Sequence, residues 1–332
     1  LGIDCDYNAT GNLMAVVHPR QEKRLRRAAE VAEKVGANVS FIDAHEARRR
    51  GLPPAFLGGA LEATGGTLDP GKLMQGLRRA ALDAGVRIHE GTRVLRVEPG
   101  AKPAAVLEHG TVRAEHVVLA SNAWTREIAP AERRVLPLYV TLFESAPLNE
   151  QQIASLGGWP QREGVYTAHE LLESYRLTRR RTIVGGSKLP RYFRGARPGD
   201  HGGADAKRQR ILAQAFRDRF PTLADVPIAS FWGGWVAMTM NFLPLLGGGR
   251  RAGNVWHACG YNGHGVAQAA AAGEMLADCI HGKSAEWLAT LPGGALPVPP
   301  EPLPWVAVNG LLALFHSLDR VTDARVRRGM KK

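Results

Sequence analysis

Residues 254–267 constrain this chain more than any other stretch. They run Asn254-Val255-Trp256-His257-Ala258-Cys259-Gly260-Tyr261-Asn262-Gly263-His264-Gly265-Val266-Ala267. An apolar strand passes into a glycine-rich turn. A helix crowded with small residues follows: Ala267, Ala269 to Ala272, Gly273 and Ala277. Glycine lets backbone N–H groups approach a ligand, and a helix N-terminus carries about half a positive charge. Small side chains let the helix lie close on a sheet. The stretch predicts an α/β layer whose turn suits a group that holds or gains negative charge.

A phosphate meets that description, and so does the N1–C2=O edge of a reduced flavin. On spacing alone, a plain connecting turn stays open as well. Two neighbouring patterns are set aside. Gly247-Gly248-Gly249-Arg250-Arg251-Ala252 fits G-x-G-x-x-A, but that fingerprint needs a strand before it and a helix after it. Here a strand follows, so the segment reads as a hairpin turn. His257-x-Cys259 with His264 has the side chains of a metal site. It reads better as a buried strand end running into a turn, and no metal is expected.

The rest of the chain supplies the layers. Leu13-Met14-Ala15-Val16-Val17 reads as a strand. From Arg20 the spacing predicts a helix with Leu25, Ala28, Ala29, Ala32 and Val35 on one face and Gly36 at its end. Asp43 caps a short second helix. Asp69-Pro70 opens a third, a capping side chain followed by proline at the first helical position. Leu73, Leu77 and Ala81 mark its expected buried face. Strands are expected at Val86–His89, at Arg93–Glu98, around Ala105 and Val112, and at Val117–Ala120, the last apolar enough to be covered on both faces. This order belongs to nucleotide-binding α/β domains. From Pro130 to Asp200 strand patterns dominate: Val135–Phe143, then a hairpin of Ser174–Thr178 and Thr182–Gly186. Residues 206–219 read as a helix with Ile211, Leu212, Ala215 and Phe216 facing in, and Trp232–Thr239 as a strand.

Composition sets outer bounds. The chain has 332 residues, enough for two domains. Its net charge is +12, in bursts such as Arg24-Leu25-Arg26-Arg27, Arg48-Arg49-Arg50, Arg179-Arg180-Arg181 and the tail from Arg325. No burst is interleaved with aromatics as a nucleic-acid stacking platform is. They read as solvated faces and turns, with a functional basic surface as the alternative, and no nucleic-acid partner is expected. Cys5, Cys259 and Cys279 form no CxxC, which excludes zinc knuckles and thioredoxin-type motifs. Their sparse, odd count points to a reducing compartment. No apolar run reaches the ~20 residues of a membrane helix; the longest, Trp305–Leu318, is broken by Asn309, Gly310 and His316. A cytoplasmic protein with no membrane span is expected.

Several segments together resemble the D-amino-acid-oxidase-like family of FAD-dependent amine oxidoreductases, and within it the γ-glutamylputrescine oxidase branch. They are Ile3-Asp4-Cys5-Asp6-Tyr7 with Gly11-Asn12-Leu13-Met14-Ala15, the Asp69-Pro70 helix, and Gly85-Val86-x-Ile88-His89-Glu90 with Thr92-Arg93-Val94. Val117-Val118-Leu119-Ala120-Ser121-Asn122-Ala123-Trp124, Tyr175-Arg176-Leu177-Thr178 and Gly260 to Val266 continue the likeness over nearly the whole chain. The fold implied is α/β plus α+β. A Rossmann-like FAD-binding domain (64–127 and 240–283) joins an antiparallel-sheet substrate domain (1–63 and 128–239), with 284–332 as a C-terminal tail.

The resemblance also implies roles. The backbone at Val94 would hold adenine. Ala120, Ser121, Asn122 and Trp124 would lie near the middle of FAD. Gly260, Tyr261, Asn262, Gly263, His264, Gly265 and Val266 would hold the flavin ring, with Thr239, Pro244 and Gly247 passing close to it. Lys188 is a candidate for oxygen activation, the alternative being a solvated lysine at a strand end. The family opens with a βαβ unit bearing G-x-G-x-x-G for the pyrophosphate. This chain is expected to lack it, the Rossmann-like domain being incomplete by on the order of 100 residues. The activity implied is FAD-dependent oxidation of a primary or secondary amine, the substrate giving a hydride to flavin N5. Imine hydrolysis follows, and oxygen as acceptor yields hydrogen peroxide. Two alternatives stand: a flavin dehydrogenase with another acceptor, and a non-catalytic fragment binding through its charge.

Overall fold

Alternating burial along the strands builds three sheets. The computed structural model describes residues 1–129, 133–195, 198, 205–249, 252–283 and 296–329. Among the expectations above, Pro130, Asp200, Arg250, Arg251 and parts of the tail lie outside the described residues.

The largest sheet has eight strands. Asn12–Ala15 (β1), Val39–Ile42 (β2) and Gly59–Glu62 (β3) come from the start of the chain. Leu136–Ser145 (β8), Gly164–Thr167 (β9), Ser174–Leu177 (β10), Ile183–Gly186 (β11) and Ile228–Met238 (β12) come from its middle. The order is β12-β8-β11-β10-β9-β1-β3-β2. β1 pairs antiparallel with β3 and parallel with β9, which joins the early strands to the later ones. Burial in β8 alternates as period-2 side-chain direction requires.

Glu22–Lys34 (α1) buries Leu25 and Ala29, while Val35 beyond its end stays exposed. Ala44–Arg49 (α2) is capped by Asp43, whose side chain accepts from the Glu46 N–H at 2.8 Å. Ala206–Arg219 (α6) covers the sheet with Leu212, Ala215 and Phe216. Phe216 meets Phe143 at 5.4 Å between ring centres, and Phe220 meets Tyr175 at 5.1 Å. Each such ring contributes roughly 1.5–3 kcal/mol by leaving water. Glu150–Ser155 (α5) closes the rim near the buried Trp159.

The second module holds the other two sheets. Val94–Glu98 (β4), Ala104–Leu107 (β5) and Gly110–Arg113 (β6) form an antiparallel meander. Val117–Leu119 (β7), Leu245–Gly249 (β13) and Val255–Cys259 (β14) form a mixed sheet in the order β13-β14-β7. β13 and β14 pair antiparallel as the expected hairpin, but Gly247, Gly248 and Gly249 lie in the strand β13 itself, paired with His257, Trp256 and Val255, and not in the turn. Pro70–Asp83 (α3), Thr125–Ile128 (α4) and Gly265–Ile280 (α7) complete the module, and Leu303–Gly329 (α8) follows.

Three further expectations need correction. Val86–His89 forms no strand, because no described strand runs beside it to take its hydrogen bonds. β7 is covered on one face only: Leu119 is buried, while Val118, which points to the opposite face, is exposed; among the described residues its one strand neighbour is β14. The apolar face of α3 is largely open. Gly76 is its buried residue, pressed on Ile3, while Met74, Leu77 and Leu82 are exposed.

Candidate functional site

β7 and β14 run parallel, with Leu119 opposite His257. Their carboxyl ends therefore emerge side by side. From β7 the chain passes through Ala120 and Ser121 into a tight turn at Asn122–Trp124. From β14 it passes through Gly260 to His264 into α7. In open α/β sheets ligands collect at this end, where helix N-termini and loop amides point.

The turn is braced from behind. Asn262 sits in the left-handed region at φ 54. Its Oδ1 accepts from the Thr239 N–H at 2.8 Å, and its Nδ2 donates to the Gly260 carbonyl at 2.8 Å. Its own N–H donates to the Ala237 carbonyl at 3.1 Å. Thr239 is buried and donates its hydroxyl to the Leu243 carbonyl at 2.7 Å. Gly260 has φ 71, and a Cβ there would lie 2.7 Å from Thr239 Cγ2, so no other residue fits. Thr239 and Asn262 thus tie β12, the 239–244 connection and the turn into one unit.

The front of the turn is open. A Cβ at Gly263 would meet nothing within 4 Å. α7 has no side-chain cap and no acidic residue in its first turn. Its first N–H groups keep their capacity for an anionic or electron-rich partner. Trp124, Met240, Phe242 and Leu243 are exposed apolar side chains on the turns that follow β7 and β12, and Val266 is exposed in the first turn of α7. Burial pushes the Tyr261 phenol up to about 12, so it stays neutral. Uncapped amides beside exposed apolar side chains fit a flavin, which has an electron-rich edge on a flat apolar ring.

The other expected contacts flank this end. Ser121 Oγ and Thr125 Oγ1 lie 2.9 Å apart, and Asn122 Nδ2 donates to the Trp235 carbonyl at 3.4 Å. Arg93 pairs with Glu127 of α4 at 3.5 Å, which sets Val94 at the start of β4 beside the segment leaving β7. Pro244 leads into β13, where Gly247 pairs with His257. α7 rests Leu276 with Trp256 and Ala258 of β14 in one apolar cluster.

Lys188 lies in a different constellation. It is 5% exposed, so it is not a solvated lysine. Its ammonium sits between Glu173 and Asp323, at 2.8 Å from Asp323 Oδ2. Arg219 of α6 bonds both carboxylates, with Nε 2.8 Å from Glu173 Oε2. Tyr175 donates its hydroxyl to Glu173 at 3.0 Å, and His169 Nε2 lies 3.3 Å from Asp323 Oδ1. Burial works against the Glu173 anion, but Arg219 and Lys188 hold its carboxyl down at about 2. Burial likewise opposes the charge on Lys188, and the two carboxylates outweigh it and raise its pKa. No bond of this cluster reaches Gly260–Val266. His169, Glu173 and Asp323 have the spacing of metal ligands, but Lys188 and Arg219 already neutralise the carboxylates. The cluster escaped sequence reading; its one signal was Arg219, which shares the apolar face of Leu212, Ala215 and Phe216 on α6.

The basic bursts are largely taken up by acids. Arg24 pairs with Glu170, Arg50 with Glu163, Arg179 with Asp6 and Arg180 with Glu144.

Comparison with known proteins bears on the family and the fold. The family described as FAD dependent oxidoreductase matches residues 1–279. The γ-glutamylputrescine oxidoreductase of Escherichia coli (strain K12) is 28% identical over 284 residues, covering 84% of this chain and 63% of that protein. A D-amino acid dehydrogenase of Cereibacter sphaeroides is 30% identical over 295 residues, covering 86% of this chain and 64% of its own length. The chain thus spans less than two thirds of these curated relatives. Among solved structures, L-proline dehydrogenase from P. horikoshii superposes with a TM-score of 0.71 at 22% identity, over 85% of this chain and 76% of that one. Glycine oxidase from Geobacillus kaustophilus also gives 0.71, at 19% identity, over 85% and 74%. These likenesses establish the fold, mixed α/β with a large sheet and smaller ones beside it.

Proposed function

This chain belongs to the family of FAD-dependent oxidoreductases, and on that premise we propose that it serves the oxidation of a primary or secondary amine. The observation that carries the reading is the pairing of the β7 and β14 carboxyl ends with the uncapped start of α7. Bound FAD would supply the hydride acceptor for the C–H bond next to the amine nitrogen. The N–H groups from Gly263 to Val266 would face its electron-rich edge, and Asn262 and Thr239 would hold them in place. Ala120, Ser121, Asn122 and Trp124 would line the path of the cofactor away from the ring, toward Val94. In this division residues 64–127 and 240–283 hold the cofactor, and 1–63 with 128–239 cover it and bind substrate.

The substrate class rests on two relatives, one named for γ-glutamylputrescine and one for D-amino acids, both amines. Oxygen as the acceptor is the first reading. The dehydrogenase relative favours a second, in which another acceptor takes the electrons. The test is titration of the purified protein with FAD, followed by flavin fluorescence, and then anaerobic mixing with γ-glutamylputrescine or a D-amino acid. Bleaching of the bound flavin by either amine supports the reading. Tight flavin binding with no bleaching by any amine refutes it. Recolouring on admission of air selects oxygen, and recolouring only with a quinone selects the second acceptor.

A further inference from the structure

α8 lies beyond the residues matched by the family and is built inside out. It faces the protein with Leu312, Asp319 and Asp323, all buried. Asp323 enters the cluster with Lys188 and Arg219, and Asp319 accepts from the backbone N–H groups of Glu170 and Leu171 at 3.0 and 2.8 Å. Its outward face carries Leu303, Val306, Leu311, Leu314, Leu318 and Val321, each between 49% and 62% exposed. At about 1.5 Å per residue the strip from Leu303 to Val321 is ~27 Å long. Soluble monomers rarely leave contiguous apolar patches beyond a few hundred Å².

Charge is sorted the same way. Both acids of α8 turn inward, while Arg320, Arg325 and Arg328 are exposed; Arg327 pairs with Asp218 of α6 at 3.0 Å and stays with the protein. By the 3.6-residue period, Arg325 and Arg328 continue the leucine strip on the same face. Arg325 also borders an apolar cavity of about 580 Å³ beside Val326, Phe220, Leu156 and Pro54. The partner of this face must therefore be apolar along the strip and anionic at its end. A second copy of the chain meets the first requirement only, since it brings the same arginines and another net charge of +12.

We propose that α8 lies in the plane of an anionic lipid bilayer, its leucine strip at the acyl boundary and its arginines among the headgroups. No described helix is long and apolar enough to cross a membrane. An in-plane helix needs only one apolar face with cationic residues at the headgroup level. The buried ion cluster gives α8 a fixed orientation, so the strip faces outward before any lipid is met.

The test is co-sedimentation of the full chain with vesicles of phosphatidylglycerol and phosphatidylcholine in equal parts, against phosphatidylcholine alone, at low and high salt. The protein should pellet with the anionic vesicles and be released by salt. Leu314→Glu/Leu318→Glu should weaken binding about tenfold or more, and Arg325→Glu/Arg328→Glu should do so while leaving the strip intact. Both pairs are on the surface, so the thermal midpoint should stay within a few degrees of the parent's. Absence of vesicle binding by the parent overturns the proposal, as does binding by both variants as tight as the parent's. A dimer in sedimentation equilibrium that the leucine variant dissolves, with no vesicle binding, makes a second copy the occupant and overturns it too. FAD affinity is not read in this experiment, so its outcome is separate from that of the amine-oxidation reading.

Discussion

Replacing Lys188 by methionine should destabilise the protein rather than tune its chemistry. The substitution keeps an unbranched chain of similar length and removes one charge from a buried set. With Lys188 and Arg219 against Glu173 and Asp323, the four formal charges cancel. Without the lysine, one carboxylate is left in excess inside the protein. Breaking a buried ion pair from one side costs about 3–5 kcal/mol. Arg219 still bonds both carboxylates, which places the cost near the lower end, about 3 kcal/mol, against a total stability of roughly 5–15 kcal/mol. Urea unfolding followed by circular dichroism reads this as a lower midpoint at unchanged slope. Lys188→Met/Glu173→Gln restores the charge balance and should recover part of the loss. A loss below about 1 kcal/mol, the worth of an exposed pair, would show that the cluster is solvated and the reasoning wrong. If Lys188 instead activates oxygen, the variant keeps its stability and slows flavin reoxidation.

Three further outcomes follow from the same geometry. Glu173, held at about 2 against an ordinary 4.5, binds its proton more readily when unfolded; stability is therefore full above the ordinary value and falls as pH drops from there toward 2. By linkage this one group accounts for about 3 kcal/mol of that loss, and Glu173→Gln should flatten the acid limb of a pH-stability curve. Asn262→Ala leaves the Thr239 N–H without its acceptor and puts alanine in the left-handed region, at about 2–4 kcal/mol in urea unfolding; Asn262→Gly should recover only the backbone part. Gly265→Val places a Cβ 3.3 Å from the Tyr261 ring, which must yield by a few tenths of an ångström. The fold should survive with a thermal midpoint a few degrees lower, while FAD affinity in a fluorescence titration falls by at least about tenfold if the turn seats the flavin.

What sequence could say depended on how local the physics was. The caps at Asp43 and Asp69 were legible because a capping side chain acts on N–H groups two or three residues away. The β13–β14 hairpin and the glycine turn after β14 were legible for the same reason. Val86–His89 had the composition of a strand, but a strand exists only if another backbone lies beside it, and composition does not supply one. β7 misled in a related way. Its Val-Val-Leu run fits cover on both faces, yet Val118 stays exposed, because cover depends on what packs on a face and not on the strand's own residues. The parallel pairing of β1 with β9, which welds the start of the chain into the large sheet, joins segments some 150 residues apart and leaves no trace in either.

The helix α8 shows the limit most sharply. Its run from Trp305 to Leu318 reads as an apolar segment too short and too broken to span a membrane, and periodicity alone would turn its leucines inward. The leucines face outward because Asp319 and Asp323 have stronger claims on the interior. Asp323 meets Lys188 at 2.8 Å and also pairs with Arg219, whereas Asp319 accepts from the backbone N–H groups of Glu170 and of the buried Leu171. Turning the helix over would bury leucine against those cations and leave Lys188 and Arg219 with too few carboxylates. An uncompensated buried charge costs several kcal/mol, more than a half-exposed leucine gains by burial. The ion cluster therefore fixes which face of α8 the protein keeps and which it leaves to a partner. That choice is written in residues 169, 173, 188 and 219, far from the helix it orients.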